Sequence, residues 1–223
     1  MTSGAARNPQ ISGEHCMRRT AFLTIVFAVL IRPAIAQAPQ RGRGGGGGGG
    51  GGGRGGIVTM ALTTAAWPDG GPIPVKYTQA GDQMSPALSW RGVPEGTQSF
   101  VLLFHDVDSP IGNGTDDVLQ WLLWNIPAQT TTLPEGMPEG MQLADGTRQI
   151  SATGPFYRGP GAPASGTAHH YVFELFALDT TLNVQTAAQV QGVSPGVETR
   201  AAVFRAIAGH VRGKAVYVGL FKR

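Results

Sequence analysis

The chain has 223 residues, 41% hydrophobic and 14% charged, enough apolar material for one domain or two small ones. Its formal net charge of +3 says little about partners: four of the 17 basic residues (Arg7, Arg18, Arg19, Arg32) and one of the 14 acidic ones (Glu14) lie in the first 36 positions, leaving 13 of each sign in the remainder. That balance, without a basic stripe interleaved with aromatics, excludes nucleic-acid binding as a reading of the charge; the single cysteine, Cys16, excludes a disulfide framework and, once the N-terminus is removed, any thiolate nucleophile or metal ligand.

From Met17 a basic Arg18-Arg19 start runs into an apolar stretch ending near Ile31, followed by the small residues Ala34 and Ala36. This is a secretory signal pattern, with cleavage expected after Ala36, so that residues 1–36 form an N-terminal extension and signal peptide with translation starting at Met17. The protein is therefore expected to be exported, periplasmic or secreted. The apolar run falls short of the roughly 20 residues a spanning helix needs, which disfavours an uncleaved anchor. Residues 37–56 carry Arg41, Arg43 and Arg54 around an unbroken glycine run. Glycine has no side chain to bury and loses most entropy on ordering, so this is a flexible linker; arginines without aromatics argue against an RNA-binding tail.

A folded β domain is expected over 57–223. Residues 57–62 read as a first strand, 67–74 as turns, 75–78 as a short extended piece, and 85–90 as a segment leading to a turn at 93–97. Runs at 99–104, 118–126, 171–178 and 214–221 are nearly continuous in Val, Leu, Ile and aromatics, or alternate them with small residues, and are bounded by turn residues, which predicts buried strands. One helix is predicted over 195–208, capped by Ser194, opened by Pro195 and stopped by Gly209, with Val197, Ala201, Phe204 and Ala208 along one face. A short helix near 187–190 is also expected. Many strands and one late helix exclude a doubly wound fold and predict a mainly β domain.

Two stretches carry candidate chemistry. Asp106 and Asp108 alternate with Val107 at the end of an apolar run, so in extended geometry both face one side. His169 and Tyr171, after the Gly/Pro-rich loop from Gly159, share a face likewise, with His170 on the other; His105 is out of phase with Asp106 and reads as structural. Such a set could activate a nucleophile, although no Gly-x-Ser-x-Gly elbow is present. It could bind a metal through Asp106, Asp108 and His169 for hydrolysis, although no spacing supports this. It fits best an anion site, in which imidazolium, phenol and loop N–H groups donate to a phosphate or carboxylate and the aspartate orients the histidine or receives a cationic headgroup.

Several ordered motifs over nearly all of 57–223 resemble the phosphatidylethanolamine-binding protein family, in its bacterial Raf-kinase-inhibitor-like branch. They are Asp69-Gly70-Gly71-Pro72-Ile73-Pro74 with Lys76-Tyr77-Thr78, Ser85-Pro86-Ala87-Leu88-Ser89-Trp90, Asp106-Val107-Asp108-Ser109-Pro110, Trp121 with Asn125-Ile126-Pro127, and the stretch from Gly159 to Phe173. The resemblance implies a large central antiparallel sheet flanked by a smaller one, a C-terminal helix, and a non-enzymatic pocket for a phosphoethanolamine-like anion. It implies a ligand-binding set of Asp106, Asp108, Pro110, Gln120, Gly159, His169 and Tyr171, with no catalytic residue, metal or cofactor. Partners are then a small anionic or phosphorylated ligand, a membrane surface, or a protein inhibited through the pocket rim. Gln120 stands where the family places a pocket histidine, Val107 replaces a proline and His170 an arginine. Because Gln120 cannot become cationic, a weaker, less pH-sensitive anion site or a shifted ligand preference is expected.

Overall fold

The computed structural model describes residues 56–112 and 114–223; the expected signal peptide, and the linker as far as residue 55, lie outside the described residues. Ten strands are present there: β1 (Val58–Thr59), β2 (Ala61–Thr63), β3 (Gly71–Pro72), β4 (Leu88–Arg91), β5 (Ser99–Ile111), β6 (Asp116–Pro127), β7 (Thr132–Leu133), β8 (Arg148–Ile150), β9 (His169–Leu178) and β10 (Val211–Phe221), with helix α1 (Pro195–Ile207) before the last. The large sheet has the order β1-β10-β9-β5-β6-β8, β3 also pairing with β10, and β2-β4-β7 form the small one. The centre of the large sheet is antiparallel as expected. Its edge is not: β1 and β3 both run parallel to β10, so the sheet is mixed.

The alternation of side chains along β5 explains why its sequence is apolar without a break. Phe100, Leu102 and Phe104 enter a core shared with Leu62, Leu88, Trp90 and Leu133 of the small sheet. Val101 and Leu103 enter a second core with Val203 and Ile207 of α1. Both faces of the strand are covered, giving three layers: small sheet, large sheet, helix. Asn125 takes a positive φ of 57°, a conformation asparagine tolerates. Its amide accepts the Leu182 N–H and donates to the Leu182 carbonyl, anchoring the chain beyond β9.

Four local expectations change. Residues 75–77 form a 3-10 turn rather than an extended piece, closed by the Thr78 N–H on the Val75 carbonyl. No helix forms at 187–190; the Ala187 N–H is instead taken by Thr199 Oγ1 of α1 at 3.0 Å. Ser194 precedes α1 in extended conformation, but its side chain makes no capping bond to the helix and reaches the Ala152 carbonyl instead. The buried strip of α1 is Gly196, Thr199, Val203 and Ile207, not the one through Val197, Ala201 and Phe204. Thr199 can be buried because its hydroxyl donates to the Pro195 carbonyl one turn back. At the far end Gly209 turns the chain with φ 85°, as a helix stop requires.

Candidate anion-binding hollow

The register of β5 against β9 places Asp106 directly opposite Tyr171, and the two-residue period puts His169 on the same face. The ladder from β5 to β6 lapses between Asp106 and Pro110. In that interval the chain folds back on the carboxylate: the Asp108 N–H donates to Asp106 Oδ1 at 3.1 Å and the Ser109 hydroxyl to Oδ2 at 2.9 Å. His169 Nδ1 lies 3.1 and 3.0 Å from the two oxygens. A carboxylate only 4% exposed needs such partners. The contact assigns the Nδ1 proton to the Asp106 side and leaves Nε2 as the ring nitrogen outside this contact.

Tyr171 Oη accepts the Gly161 and Ala162 N–H groups at 3.2 and 3.0 Å, pinning the loop over β9. Burial first, then the Asp106 charge beside it, push the phenol well above the usual tyrosine range, so it remains a donor. Gln120, 2% exposed, accepts Arg158 Nη1 through Oε1 at 3.1 Å, while its carbonyl accepts the Arg158 N–H at 3.1 Å. A neutral amide thus aims a guanidinium. Between these groups lies a hollow of about 90 Å³, lined among others by Asp106, Ser109, Gln120, Arg158, Ala162 and Tyr171.

Of the residues expected to bind ligand, Asp106, Gln120 and Tyr171 line this hollow, and His169 joins it through Asp106. Three stand elsewhere. Asp108 turns outward, its Oδ2 accepting the His170 N–H at 2.6 Å and facing His170 Nδ1 at 2.7 Å. Pro110 is exposed outside the hollow, because the ladder resumes there opposite Asp117. Gly159 is buried behind it, where a Cβ would stand 2.6 Å from the Tyr77 carbonyl; its own carbonyl accepts Gln79 Nε2, so it sets the loop without reaching the ligand space. Sequence reasoning missed Arg158, which adjoins the stretch from Gly159, and Ser109, which lies inside the Asp106–Pro110 motif but received no role. Among the described residues no three His, Cys, Asp or Glu side chains stand close enough to share an ion.

His105 faces the other side of β5. Its Nδ1 lies 2.6 Å from Asp117 Oδ2, and Arg200 of α1 holds the other oxygen of Asp117. Burial alone would push the Asp117 carboxyl up, but the bonds and charges of His105 and Arg200 outweigh it and hold the group below the usual aspartate range. The His170 N–H does the same for Asp108, against a smaller opposing effect of burial. A carboxyl depressed on folding stabilises above its unfolded value and loses that contribution as the pH falls through its folded one. Urea unfolding is therefore expected to give a stability unaffected by these two groups down to about pH 4 and a decline below it. Asp117→Asn should be less stable near neutrality and fall less steeply in acid; an unchanged acid slope would count against this assignment.

The family model described as Phosphatidylethanolamine-binding protein matches residues 63–222. The UPF0098 protein of Methanothermobacter thermautotrophicus is 39% identical over 166 residues, 74% of this chain and 99% of that protein. Among solved structures, the phosphatidylethanolamine-binding protein homologue CT736 of Chlamydia trachomatis superposes with a TM-score of 0.58 at 29% identity, covering 74% of this chain and 98% of that one. YbcL of Escherichia coli gives a TM-score of 0.57 at 25% identity over the same shares, 74% and 98%.

Proposed function

This chain belongs to the phosphatidylethanolamine-binding protein family, and we propose that the hollow beside Asp106 binds the phosphate-type head of a small ligand without transforming it, in a protein exported by its N-terminal segment. The observation that carries the reading is the Arg158 guanidinium, held by Gln120 against the same space as the Tyr171 phenol and the Asp106–His169 pair. Arg158 brings a permanent positive charge to the hollow. Its fork of N–H donors, with the Gln120 amide, suits a tetrahedral oxyanion. The Asp106 oxygens are already bonded to the Asp108 N–H, Ser109 and His169, so the aspartate orients the histidine and is not a receptor for a cationic headgroup.

Size sets the ligand class. At about 90 Å³ the hollow is well below the ~300–1,000 Å³ that encloses a drug-sized molecule. It takes a headgroup and leaves any acyl chain outside. Which ring nitrogen is used supports binding over hydrolysis by a serine triad. Ser109 Oγ, at 3.2 Å, and Asp106, at 3.0 Å, both meet His169 at Nδ1. A hydrolytic triad needs the serine on Nε2 and the carboxylate on Nδ1; here the histidine cannot take the serine proton while the aspartate orients it.

The test is calorimetric titration of inorganic phosphate and of phosphoethanolamine into the exported protein, whose mature chain should begin at Gln37. One saturable site is expected, with phosphoethanolamine recovered intact. His169→Ala should weaken it about two- to tenfold, the worth of one hydrogen bond. No saturation with either ligand, release of inorganic phosphate, or an affinity indifferent to His169→Ala would overturn the reading.

A further inference from the structure

On the reverse face of β5 a larger cleft, about 490 Å³, opens between the large sheet and α1. Its walls include Leu103 of β5 and Val197, Ala201 and Phe204 of α1. These three helix residues belong to the apolar stripe, ending at Ala208, that is visible in the sequence. Because α1 presses its other strip against the sheet, they are left half-buried along the opening. Phe204 meets the Phe176 ring edge-on at 5.7 Å.

The charge around this apolar wall is one-sided. Asp116, Asp117, Glu174 and Glu198 contribute carboxylates to the lining, and Arg200 contributes the guanidinium. Arg200 is committed to Asp117 and only approaches Asp116, at 4.0 Å. Lys214 neutralises one oxygen of Glu174 from the side at 2.5 Å. Asp116, with its side chain 59% exposed, and the exposed Glu198 leave the rim net negative. His105 also lines the cleft, a residue 9% exposed whose Nε2 is buried without a hydrogen-bond partner. Glu174 Oε2 faces it at 3.8 Å, beyond bonding distance. A buried polar atom left unmatched beside a cleft is unusual in a site meant only for packing.

We propose that this cleft binds a small organic cation: a primary ammonium or guanidinium carried on an apolar body. The volume lies within the range that encloses small molecules. The body lies along Val197, Ala201 and Phe204, and the cationic head meets the Asp116 and Glu198 carboxylates, with the Phe204 ring face as a further attraction for positive charge. Anions are repelled by the rim, so the two sites on opposite faces of one strand select opposite charges. Nothing in this assignment depends on the anion hollow being occupied.

The experiment is a titration of phenethylammonium chloride into the isotope-labelled full chain, following amide shifts by NMR, with phenethyl alcohol as neutral isostere and phenylpropionate as anion. Saturable shifts are expected at Leu103, Val197, Ala201 and Phe204 with the ammonium, weaker ones with the alcohol and none with the carboxylate. Asp116→Asn combined with Glu198→Gln alters exposed side chains and should leave both the fold and phosphate binding intact. It should weaken the ammonium about threefold or more, the worth of exposed charge pairs. Absent saturation, an alcohol that binds as tightly as the ammonium, or a double variant with unchanged affinity would each overturn the assignment.

Discussion

Phe104→Ala is expected to lower the unfolding free energy by about 3–5 kcal/mol, the range for removing a fully buried aromatic side chain. Phe104 is fully buried and packs against Phe173 at 3.9 Å, Tyr157 at 5.7 Å and Tyr171 at 6.0 Å between ring centroids. No single neighbour can close the space it leaves. The loss is a large share of the roughly 5–15 kcal/mol that holds an ordinary domain folded, so it should appear as a lower urea midpoint with little change in slope. Phe104→Leu keeps most of the apolar volume and should lose less. Because the ring supports Tyr171 and lies two residues before Asp106, the folded fraction of Phe104→Ala should also bind phosphate more weakly. A stability loss below about 1 kcal/mol would mean that the aromatic cluster repacks and that the hollow does not rest on it.

What the sequence made legible, and what it hid, follows from the range of the forces involved. The buried runs of β5, β6 and β9 were readable because both faces of each strand are covered, so composition alone marks them. Their polar ends were not. Residues 105–111 and 116–117 extend β5 and β6 through partner strands, β9 opposite His105 and Asp106 and each other at Pro110–Ile111 and Asp116–Asp117, and a neighbour strand leaves no trace in local composition. Period two placed His169 and Tyr171 on one face, and their convergence with Asp106 needed only the β5–β9 register. The ends of α1 were readable from Pro195 and Gly209, but its buried face was not, since a threonine that bonds its own backbone and a glycine replace the expected apolar positions. Arg158 was the largest omission. Its partner Gln120 is 38 positions away, and a polar pair closed by tertiary contact has no sequence period to reveal it. Gln120, at the position where the resemblance implies a histidine, therefore changes meaning once the structure is seen. Glutamine supplies an acceptor for a neighbouring cation, where a protonated histidine would repel it.

That exchange makes Arg158 the residue on which anion affinity should depend most. Arg158→Met keeps the length and apolar character of the stem while removing the charge and the donor fork, and phosphate affinity should fall about 10- to 100-fold. This corresponds to roughly 1.5–3 kcal/mol for hydrogen bonds to a charged group. Arg158→Lys restores a positive charge without the planar fork and should recover only part of the loss. Gln120→Leu leaves the guanidinium in place but removes the 3.1 Å bond that aims it; binding should weaken less than in Arg158→Met and keep its dependence on ionic strength, which Arg158→Met should flatten. These three responses distinguish a guanidinium that contacts the anion from one that only supports the loop before Gly159. A structural role predicts equal losses of stability and affinity in Arg158→Met, with Arg158→Lys no better and no change in salt dependence. A contact role predicts a tenfold or greater loss of phosphate that Arg158→Lys partly restores and that flattens the salt dependence, whatever stability is lost by leaving the buried Gln120 Oε1 without its donor. If phosphate binds Arg158→Met within about twofold of the unaltered protein, the charge that makes this hollow an anion site lies elsewhere, because losing a charged hydrogen bond cannot cost so little.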